Sequence, residues 1–516
     1  MRTSSSATLS FLLAALAACG TVSDEPIADA PDGTDFSLVV TPTELSVPIG
    51  GSGDATLTID RVGGGGDVEL AAQGLPAGVT ATFAANPVAA GTNSTTVTFA
   101  VAGGTAPATA TVTLVGTSGG VERTTTLMVT ATPITVTGVV KGEREGVTVR
   151  IVGKPAVTSG AGGTFTFTDV VPPYDLYTVG QSGLISSPTP TAHYFHGLTR
   201  TDPVVTAPST FGLTILTNGD ASVTGTKSGG DGVNQMRIAW EHGGAITTAP
   251  SSYAFTAFWT PLTASNQGRL FGFQYSTRAT GAPDVFTGFG ASAATTLNDN
   301  GNAVINLAFT APSTASLTGT VTSPVGFPTP SLTLNQQLGP TGSTALWTAN
   351  TTLADATIPL VTAGKAALSA TATLGGATTK YVHPALDANT DVTFVLPAPA
   401  VQIAPVASAS GITTATEFSW TDEPDTVHEV QVSTSSPQPA SFLIYTTEGA
   451  TTIPALPELA LPTNQNFTWR VNGYSPTATM DDACTATGLE PVSAADYEGP
   501  RHAVTSSTAR SFTSAP

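Results

Sequence analysis

Hydrophobic and polar residues alternate with a period of two along most of the chain from residue 36 onward, and glycine-rich turns separate the alternating runs. Phe36, Leu38 and Val40 form the first run, and residues 55–59 repeat the pattern. A period of two places alternate side chains on one face of a strand, so these runs predict half-buried β-strands. No long run of good helix formers interrupts them after the N-terminal segment. The pattern predicts an all-β fold in which pairs of sheets bury their apolar faces as sandwiches.

The length of the chain predicts several such sandwiches in tandem, because 516 residues are too many for one hydrophobic core. Only two cysteines are present, Cys19 and Cys484, and the first lies in the N-terminal segment. We therefore expect no internal disulfide, and each domain must be stabilised by apolar packing. Cys484 is expected to be an unreactive thiol, with a reactive or intermolecular thiol as the alternative.

The charge balance is strongly acidic, with 36 Asp and Glu against 17 Lys and Arg and a net charge of −19. This excess of negative charge repels phosphate groups. It argues against nucleic acid and against anionic lipid headgroups as partners.

The N-terminal segment has the order of a secretion signal, with Arg2, an apolar run at residues 9–16, and LAAC at residues 16–19. The apolar run is too short to span a membrane, which needs about 20 apolar residues. A branched residue three positions before a cysteine, with two small residues between them, resembles the lipobox of bacterial lipoproteins. The resemblance implies that the signal peptide 1–18 is removed and that the Cys19 thiol is acylated. The membrane would then be a partner through Cys19, since two or more acyl chains anchor firmly.

The residues after the cysteine indicate where in the cell envelope the protein would be anchored. In similar lipoproteins a non-acidic residue at this position, here Gly20, favours the outer membrane. We expect a lipid-anchored protein of the cell envelope, at the outer membrane, on its periplasmic or surface face. A plain secreted protein is the alternative. Residues 19–35 are acidic and lack periodicity, which predicts a disordered tether.

Two further resemblances concern the first domains. GLPAGVTATF at 74–83 resembles a strand of bacterial immunoglobulin-like repeats, which implies an immunoglobulin-like sandwich at 36–132. VTGVV at 136–140 and GTFTFTDVVP at 163–172 resemble the carboxypeptidase regulatory-like domain, a transthyretin-like sandwich, here expected at 134–212. That module is a non-catalytic appendage, so the resemblance implies no peptidase.

The opening pattern of that module recurs as SVTGT at 222–226 and SLTGT at 316–320. The units also end alike, with VTAPS at 205–209 and FTAPS at 309–313. An internal repeat of this kind predicts related sandwiches. We place them at 221–312 and 314–399.

The last part of the chain resembles a fibronectin type III-like domain at 402–516. FSW at 418–420 and FTWRVNGY at 467–474 carry the resemblance, which implies that Trp420 is a core aromatic. Residues 477–503 are polar and acidic, and we interpret them as a loop inserted before the last strand.

We find no candidate catalytic residue. GTSGG at 116–120 imitates the nucleophile segment of serine proteases, but it lies between two alternating runs where a hairpin is needed, and Gly-Gly is a turn signal. The glycine run at 63–66 lacks the Lys and Ser/Thr of a phosphate-binding loop. We therefore expect no enzyme and no cofactor, with a divergent hydrolase as a remote alternative.

Candidate metal ligands are sparse. His193 and His196 would share a face only on a helix, whereas their surroundings predict a strand or loop, so we expect ordinary histidines. Residues 299–301 and 218–219 are turn sequences of the primed type. Residues 481–482 are two aspartates that offer half of a cation site, and the regular ligand spacing of a calcium loop is missing. We expect no metal.

The segment 221–312 is the richest in aromatic residues. Phe271, Phe273 and Tyr275 share one face of a predicted strand, and Trp259 precedes them. These four residues form either an aromatic core or a ligand platform that stacks on sugar rings or a peptide.

Taken together, the sequence predicts a membrane-anchored, multi-domain lipoprotein with a structural, adhesive or binding role at the cell envelope. The alternative is an accessory polysaccharide- or peptide-binding protein that acts through 221–312. The expected partners are the membrane and a glycan or a protein, and not nucleic acid.

Overall fold

The computed structural model describes residues 35–62, 65–211, 219–231, 234–249, 251–259, 264–276, 285–339, 342–435, 437–489 and 501–516. Their regular structure is almost entirely β-strand, which confirms the all-β prediction. The chain divides into two compact units, Met1–Thr132 and Pro133–Pro516. No helix in these ranges is long and apolar enough to cross a membrane. The signal peptide 1–18, Cys19 and the tether to residue 34 lie outside the described residues, so these assignments stay predictions.

The first unit contains eight strands in two four-stranded sheets, ordered β1-β3-β6-β5 and β2-β8-β7-β4. The strands are β1 (Phe36–Thr41), β2 (Glu44–Pro48), β3 (Ser52–Arg61), β4 (Glu69–Gln73), β5 (Val79–Phe83), β6 (Ser94–Val101), β7 (Ala108–Ser118) and β8 (Val121–Thr132).

The two sheets pack face to face because the alternating residues of both point inward. Leu57 on β3 and Val129 on β8 are fully buried. A side chain at Gly116 on β7 would lie 3.1 Å from Phe36 and from Leu38 on β1, which places the two sheets against each other across the core. The apolar period of two therefore produces a sandwich here, as predicted.

The second unit begins with the strands of residues 134–211. They are β9 (Ile134–Val140), β10 (Thr148–Ile151), β11 (Val157–Thr158), β12 (Thr164–Val170), β13 (Tyr174–Leu184), β14 (Ser187–Leu198), β15 (Val204–Val205) and β16 (Thr210–Phe211), with one 3₁₀ turn at Ala161–Gly163.

Two groups of strands follow. Residues 219–309 contain β17 (Gly219–Gly229), β18 (Gln235–Trp240), β19 (Ala245–Thr248), β20 (Ser252–Trp259), β21 (Ser265–Gly268), β22 (Leu270–Ser276), β23 (Val285–Ala291), β24 (Thr295–Asn298), β25 (Gly301–Val304) and β26 (Leu307–Phe309). Residues 313–395 contain β27 (Ser313–Thr318), β28 (Val321–Thr322), β29 (Ser331–Leu338), β30 (Gly342–Asn350), β31 (Ala356–Leu360), β32 (Ala366–Leu374), β33 (Ala377–Leu386), β34 (Thr390–Asp391) and β35 (Phe394–Val395).

The last group lies in residues 402–514. It contains β36 (Gln402–Ala404), β37 (Ala409–Ile412), β38 (Glu417–Trp420), β39 (Val427–Thr434), β40 (Ala440–Thr446), β41 (Ala450–Thr452), β42 (Asn466–Ser475), a short helix α1 (Met480–Ala483), β43 (His502–Ser506) and β44 (Arg510–Ser514).

The repeated Thr-Gly pattern has a structural counterpart. In each of three consecutive groups the first strand pairs in parallel with a strand near the end of the group: β9 with β15, β17 with β26, and β27 with β34. The repeated glycine lies on the first strand, where the backbone of the later part of the same group approaches it closely. A Cβ at Gly138 would lie 2.5 Å from the Pro203 carbonyl oxygen, and one at Gly225 would lie 1.9 Å from the Ile305 carbonyl oxygen. Only a residue without a side chain fits there.

One sheet runs through three of these groups. Its strand order is β11-β10-β13-β14-β40-β39-β42-β43-β33-β32-β29-β30. β14 pairs in parallel with β40, and β43 pairs antiparallel with β33. The strands of residues 402–514 therefore connect those of residues 134–211 to those of residues 313–395.

Hydrophobic cores are shared in the same way. One core joins Phe195 to Tyr445 and Cys484, and another joins Phe273 to Leu334. Residues 219–309 have a core of their own, but residues 134–211, 313–395 and 402–514 share cores with other segments. The expectation that each small domain of the second unit is stabilised by its own core is therefore wrong for these three segments. A sandwich of about 100 residues buries a limited area, and here the edges of β14 and β33 are covered by β40 and β43 of the same unit.

Candidate functional site

The four aromatic residues proposed as a ligand platform are buried. The exposed fractions of Trp259, Phe271, Phe273 and Tyr275 are 1%, 2%, 0% and 6%. The last three belong to the core that includes Leu334, whereas Trp259 belongs to the core of residues 219–309. A stacking platform needs an exposed ring face. The platform interpretation is therefore wrong, and the alternative, an aromatic core, describes these residues.

The sequence did place Phe271, Phe273 and Tyr275 on one face of a strand, and β22 shows this arrangement. Its other face, which includes Leu270, packs into the core of residues 219–309. Phe273 lies 5.3 Å from Phe289 on the neighbouring strand, measured between ring centroids. The aromatic face is thus an internal contact with residues 313–395.

A groove of about 960 Å³ lies between residues 134–211 and residues 447–481. Ile151, Val170, Pro173 and Met480 contribute apolar surface to it. Its charged and titratable lining residues are Lys154, Asp169, Tyr174, Asp175, His196, Glu448 and Asp481. Pockets of this size accept a small molecule or a few residues of a peptide. The groove is the candidate functional site.

Asp175 and His196 meet in the groove because β13 and β14 pair, and both side chains lie on the same face. His196 Nδ1 is 2.9 Å from Asp175 Oδ1. The Tyr194 hydroxyl donates to Asp175 Oδ2 at 2.6 Å, and the Gly197 N–H donates to Oδ1 at 2.9 Å. A carboxylate on Nδ1 fixes the tautomer of neutral histidine, so Nε2 carries the lone pair.

The electrostatics of this group follow from its contacts. Burial alone raises the pKa of Asp175, but the hydrogen bonds from His196, Tyr194 and Gly197 outweigh it and the pKa is lowered. The hydrogen bond with Asp175 raises the pKa of His196, and the negative charge of Glu448 adds to this effect. His196 is therefore easier to protonate than a free histidine, and its side chain is 48% exposed.

The far wall of the groove is formed by residues 478–481, and this segment docks on residues 134–211 through Asp481. The N–H groups of Thr199 and Arg200 donate to Asp481 Oδ1 at 2.9 Å and 3.1 Å, and the Thr199 hydroxyl donates to Oδ2. Arg200 Nη1 donates to the Asp481 carbonyl oxygen at 2.6 Å. Asp481 is thus an anchoring residue, and the alternative that it forms half of a cation site with Asp482 has no support in this geometry.

The other half of that aspartate pair has a local role. Asp482 Oδ2 accepts a hydrogen bond from the Thr479 hydroxyl at 2.7 Å. The Asp482 N–H donates to the Thr479 hydroxyl oxygen at 3.1 Å, and this second bond caps α1. No group of three or more His, Cys, Asp or Glu side chains in the described ranges is arranged to hold a metal ion.

His193 and His196 lie on β14, so of the two predicted surroundings, a strand or a loop, the segment forms a strand. Their side chains are three positions apart and point to opposite faces. His193 Nδ1 is 2.8 Å from the Thr206 hydroxyl. Burial, with a smaller contribution from the positive charge of Arg144, lowers the pKa of His193 to about 4. The two imidazoles therefore do not share a site.

Other residues singled out from the sequence are structural. Ser118 pairs with Val121 across a hairpin whose two turn residues, Gly119 and Gly120, have φ of 56° and 85°, so the predicted turn is confirmed. Asn300 has φ of 56° in the turn before β25. Two further predicted turns, the glycine run at 63–66 and residues 218–219, lie partly outside the described residues, which do not include Gly63, Gly64 and Asn218.

Cys484 is fully buried in the core shared with Phe195, and burial raises the pKa of its thiol to about 12. A neutral, buried thiol is a poor nucleophile. This agrees with the expectation of an unreactive cysteine.

The groove itself was not predicted. Its walls come from residues 151–199 and 447–481, and no local pattern indicates that two such distant segments meet. The one usable signal was the acidic, polar stretch 477–503, which interrupts the alternation where a short connection would suffice.

Comparisons with known proteins give few constraints. No protein-family model matches the chain, and no curated protein matches it. Among solved structures, domains 5–6 of the surface-layer protein SbsC align with 52% of this chain and 96% of that chain, at 12% identity and a TM-score of 0.15. A streptococcal ancillary pilin aligns with 49% of this chain and 89% of that chain, at 9% identity and a TM-score of 0.14. A tetra-tandem repeat from the extending region of a large adhesion protein aligns with 86% of this chain and 97% of that chain, at 11% identity and a TM-score of 0.12. The chain is similar to such surface proteins in β-structure, and TM-scores this low carry no argument about its function.

Proposed function

We propose that the chain is a lipid-anchored protein of the cell envelope with a binding role, and that its second unit binds a partner in the groove. Acylated Cys19 is the anchor, at the outer membrane. The immunoglobulin-like, carboxypeptidase regulatory-like and fibronectin type III-like assignments belong to the same proposal. The groove is the observation that carries the binding role, because it combines apolar surface with an acidic rim.

The charges of the groove indicate the chemistry of the partner. Four carboxylates line it, against Lys154 and a histidine. Asp175 is engaged by His196 and Asp481 by backbone N–H groups. Asp169 and Glu448 then supply the negative charge that a ligand meets, beside the apolar side chains of Ile151 and Met480. A basic, partly apolar peptide segment complements this surface.

The test is fluorescence anisotropy of a labelled peptide of alternating Lys and Leu, with the full chain carrying Cys19→Ala. We expect this peptide to bind and an alternating Glu-Leu peptide not to bind. The double variant Asp169→Asn/Glu448→Gln should weaken binding about tenfold, a loss of roughly 1.4 kcal/mol.

The matched control is Asp54→Asn/Glu44→Gln, which removes two negative charges in the first unit and leaves the groove intact. It should not change the affinity. Equal binding of both peptides, or an equal loss in the control, would reject the basic-peptide proposal.

The anchor is tested separately. Wild-type protein should partition into detergent and carry acyl mass on Cys19, and Cys19→Ala should lose both properties. Detergent partitioning that survives Cys19→Ala would reject the lipoprotein assignment. The alternative of glycan binding through 221–312 lacks an exposed aromatic platform, because its proposed aromatic residues are buried.

A further inference from the structure

The groove depends on a contact between two parts of the chain that are far apart in sequence. β14 and β40 pair in parallel from Thr191 opposite Ser441 to Phe195 opposite Tyr445. The Phe195 and Tyr445 rings stack at 4.9 Å with an interplanar angle of 7°. All of residues 219–399 lie between these two strands in sequence, so the pairing closes a large loop of chain. We call the contact of 134–211 with 402–489 the junction.

Polar contacts reinforce the junction at two further points. The first is Asp481, which accepts from the Thr199 and Arg200 N–H groups as described above. The Val204 N–H also donates to the Cys484 carbonyl oxygen at 2.7 Å, next to this anchor.

The second point is Glu458, which bridges two residues of 134–211. Arg150 Nη2 is 2.6 Å from Glu458 Oε1, and the Tyr177 hydroxyl donates to Glu458 Oε2 at 3.1 Å. Both charged side chains are about a quarter exposed, at 28% and 24%, so solvent screens this ion pair only in part.

The direction of the two strands determines how the junction responds to tension. The chain enters β14 from the N-terminal side and leaves β40 toward the C-terminal side. Because the strands are parallel, pulling on the two ends of the chain slides them lengthwise past each other. The hydrogen bonds between parallel strands are evenly spaced, so they share the force and must break together. Tension from the C-terminal end also loads the pair of β43 with β33. The other strands of residues 219–399 lie off the path of this force while the junction is closed.

We propose that the junction is a force-resisting latch that shields residues 219–399 from tension and whose opening takes the groove apart. The second part rests on the proposed function of the groove, because its walls belong to opposite sides of the junction. Binding in the groove and closure of the latch then favour each other to the same degree, as linked equilibria require.

The experiment is single-molecule force spectroscopy of the full chain carrying Cys19→Ala, pulled from both ends. A variant Thr191→Cys/Ser441→Cys places two cysteines at directly opposed positions, where the Cα separation of paired strands suits a disulfide. Oxidation should shorten the final extension by the chain between these positions, about 85 nm at the length of an extended residue. The events that disappear on oxidation identify the unfolding of residues 192–440, which contain residues 219–399.

In the wild type we expect those events only after the rupture of the junction. Asp481→Ala/Glu458→Gln should lower the rupture force without changing the extension gained. Asp387→Asn, which loses an ion pair with Lys365 outside the junction, should leave the rupture force unchanged.

Two results would overturn the latch. One is unfolding of residues 219–399 before the junction ruptures in the wild type. The other is an equal final extension of the oxidised and reduced double-cysteine variant. Neither result depends on peptide binding, so failure of the latch and failure of the groove are distinguishable.

Discussion

His193 and His196 differ in their response to pH because they face different surroundings on the same strand. Burial beside Arg144 lowers the pKa of His193, while the Asp175 carboxylate raises that of His196. A histidine with a lowered pKa binds its proton more readily in the unfolded chain. Its contribution to stability is therefore complete above the ordinary value of 6.5 and is lost as the pH falls toward about 4.

At this scale we predict that His193→Asn reduces the loss of stability between pH 7 and pH 4.5. Asn keeps a hydrogen-bonding group near Thr206 but does not titrate. The expected difference is roughly 2 kcal/mol, since the shift is large and the ring keeps some contact with solvent. Urea unfolding of the second unit at both pH values measures it.

His196→Asn is the matched comparison, with the opposite sign. The raised pKa of His196 stabilises the fold below 6.5, and this contribution is lost as the pH rises through the folded-state pKa. His196→Asn should therefore steepen the acid-induced loss of stability. Identical pH profiles for the two variants would contradict the assignment of the two environments.

The aromatic residues of β22 show what the sequence can and cannot establish about single residues. The period of two correctly placed Phe271, Phe273 and Tyr275 on one face, because strand geometry is local. What covers that face is not local. Leu334 and its neighbours on β29 supply the contact, more than fifty positions along the chain, so core and platform could not be distinguished in advance.

At the scale of elements, α1 and the segment around it connect 402–489 to 134–211. Cys484 lies directly after α1 and is fully buried in that contact. Its thiol reaches solvent only when the segment opens, and only the thiolate reacts. The rate of reaction of Cys484 therefore reports the opening of this element.

We predict that Asp481→Ala accelerates the reaction of Cys484 with a disulfide reagent by about tenfold or more. The variant removes the acceptor of the Thr199 and Arg200 N–H groups, a loss of roughly 1.5–3 kcal/mol for bonds to a charged group. The measurement uses native protein with Cys19→Ala, so that Cys484 is the sole thiol.

Asp54→Ala removes a carboxylate from the first unit and is the control for the change in charge. It should leave the reaction rate unchanged. Rapid reaction of Cys484 in the protein without Asp481→Ala would contradict its burial in the junction.

Among the elements, the hairpin at 116–120 followed from sequence because turn residues and alternation act over a few positions. The segment containing His193 was predicted only as a strand or a loop. The parallel pair of β14 and β40 did not. Nothing in the composition of a strand specifies which distant strand will cover its edge, and an exposed edge accepts any suitable partner.

For the whole molecule, the shared sheet and shared cores mean that residues 134–211, 313–395 and 402–514 are not separately stabilised domains. Phe273 stabilises the contact with residues 313–395 as well as its own strand, and Phe195 does the same for residues 402–489. The sequence predicted sandwiches in series because repeats and turn signals mark sequence intervals. It did not predict that residues 133–516 form one compact unit.

We therefore predict that residues 133–516 unfold in one cooperative transition, observed by calorimetry of the full chain. Phe273→Ala, at a cost of about 3–5 kcal/mol for a buried aromatic residue, should lower the midpoint of that entire transition. Leu57→Ala, in the core of the first unit, is the matched control and should lower the midpoint of a different transition. Segments that share a core cannot unfold separately. In the Phe273→Ala variant, a contrary result would be that only a fraction of the heat absorbed by residues 133–516 moves to lower temperature. That result would show that these residues unfold as independent domains.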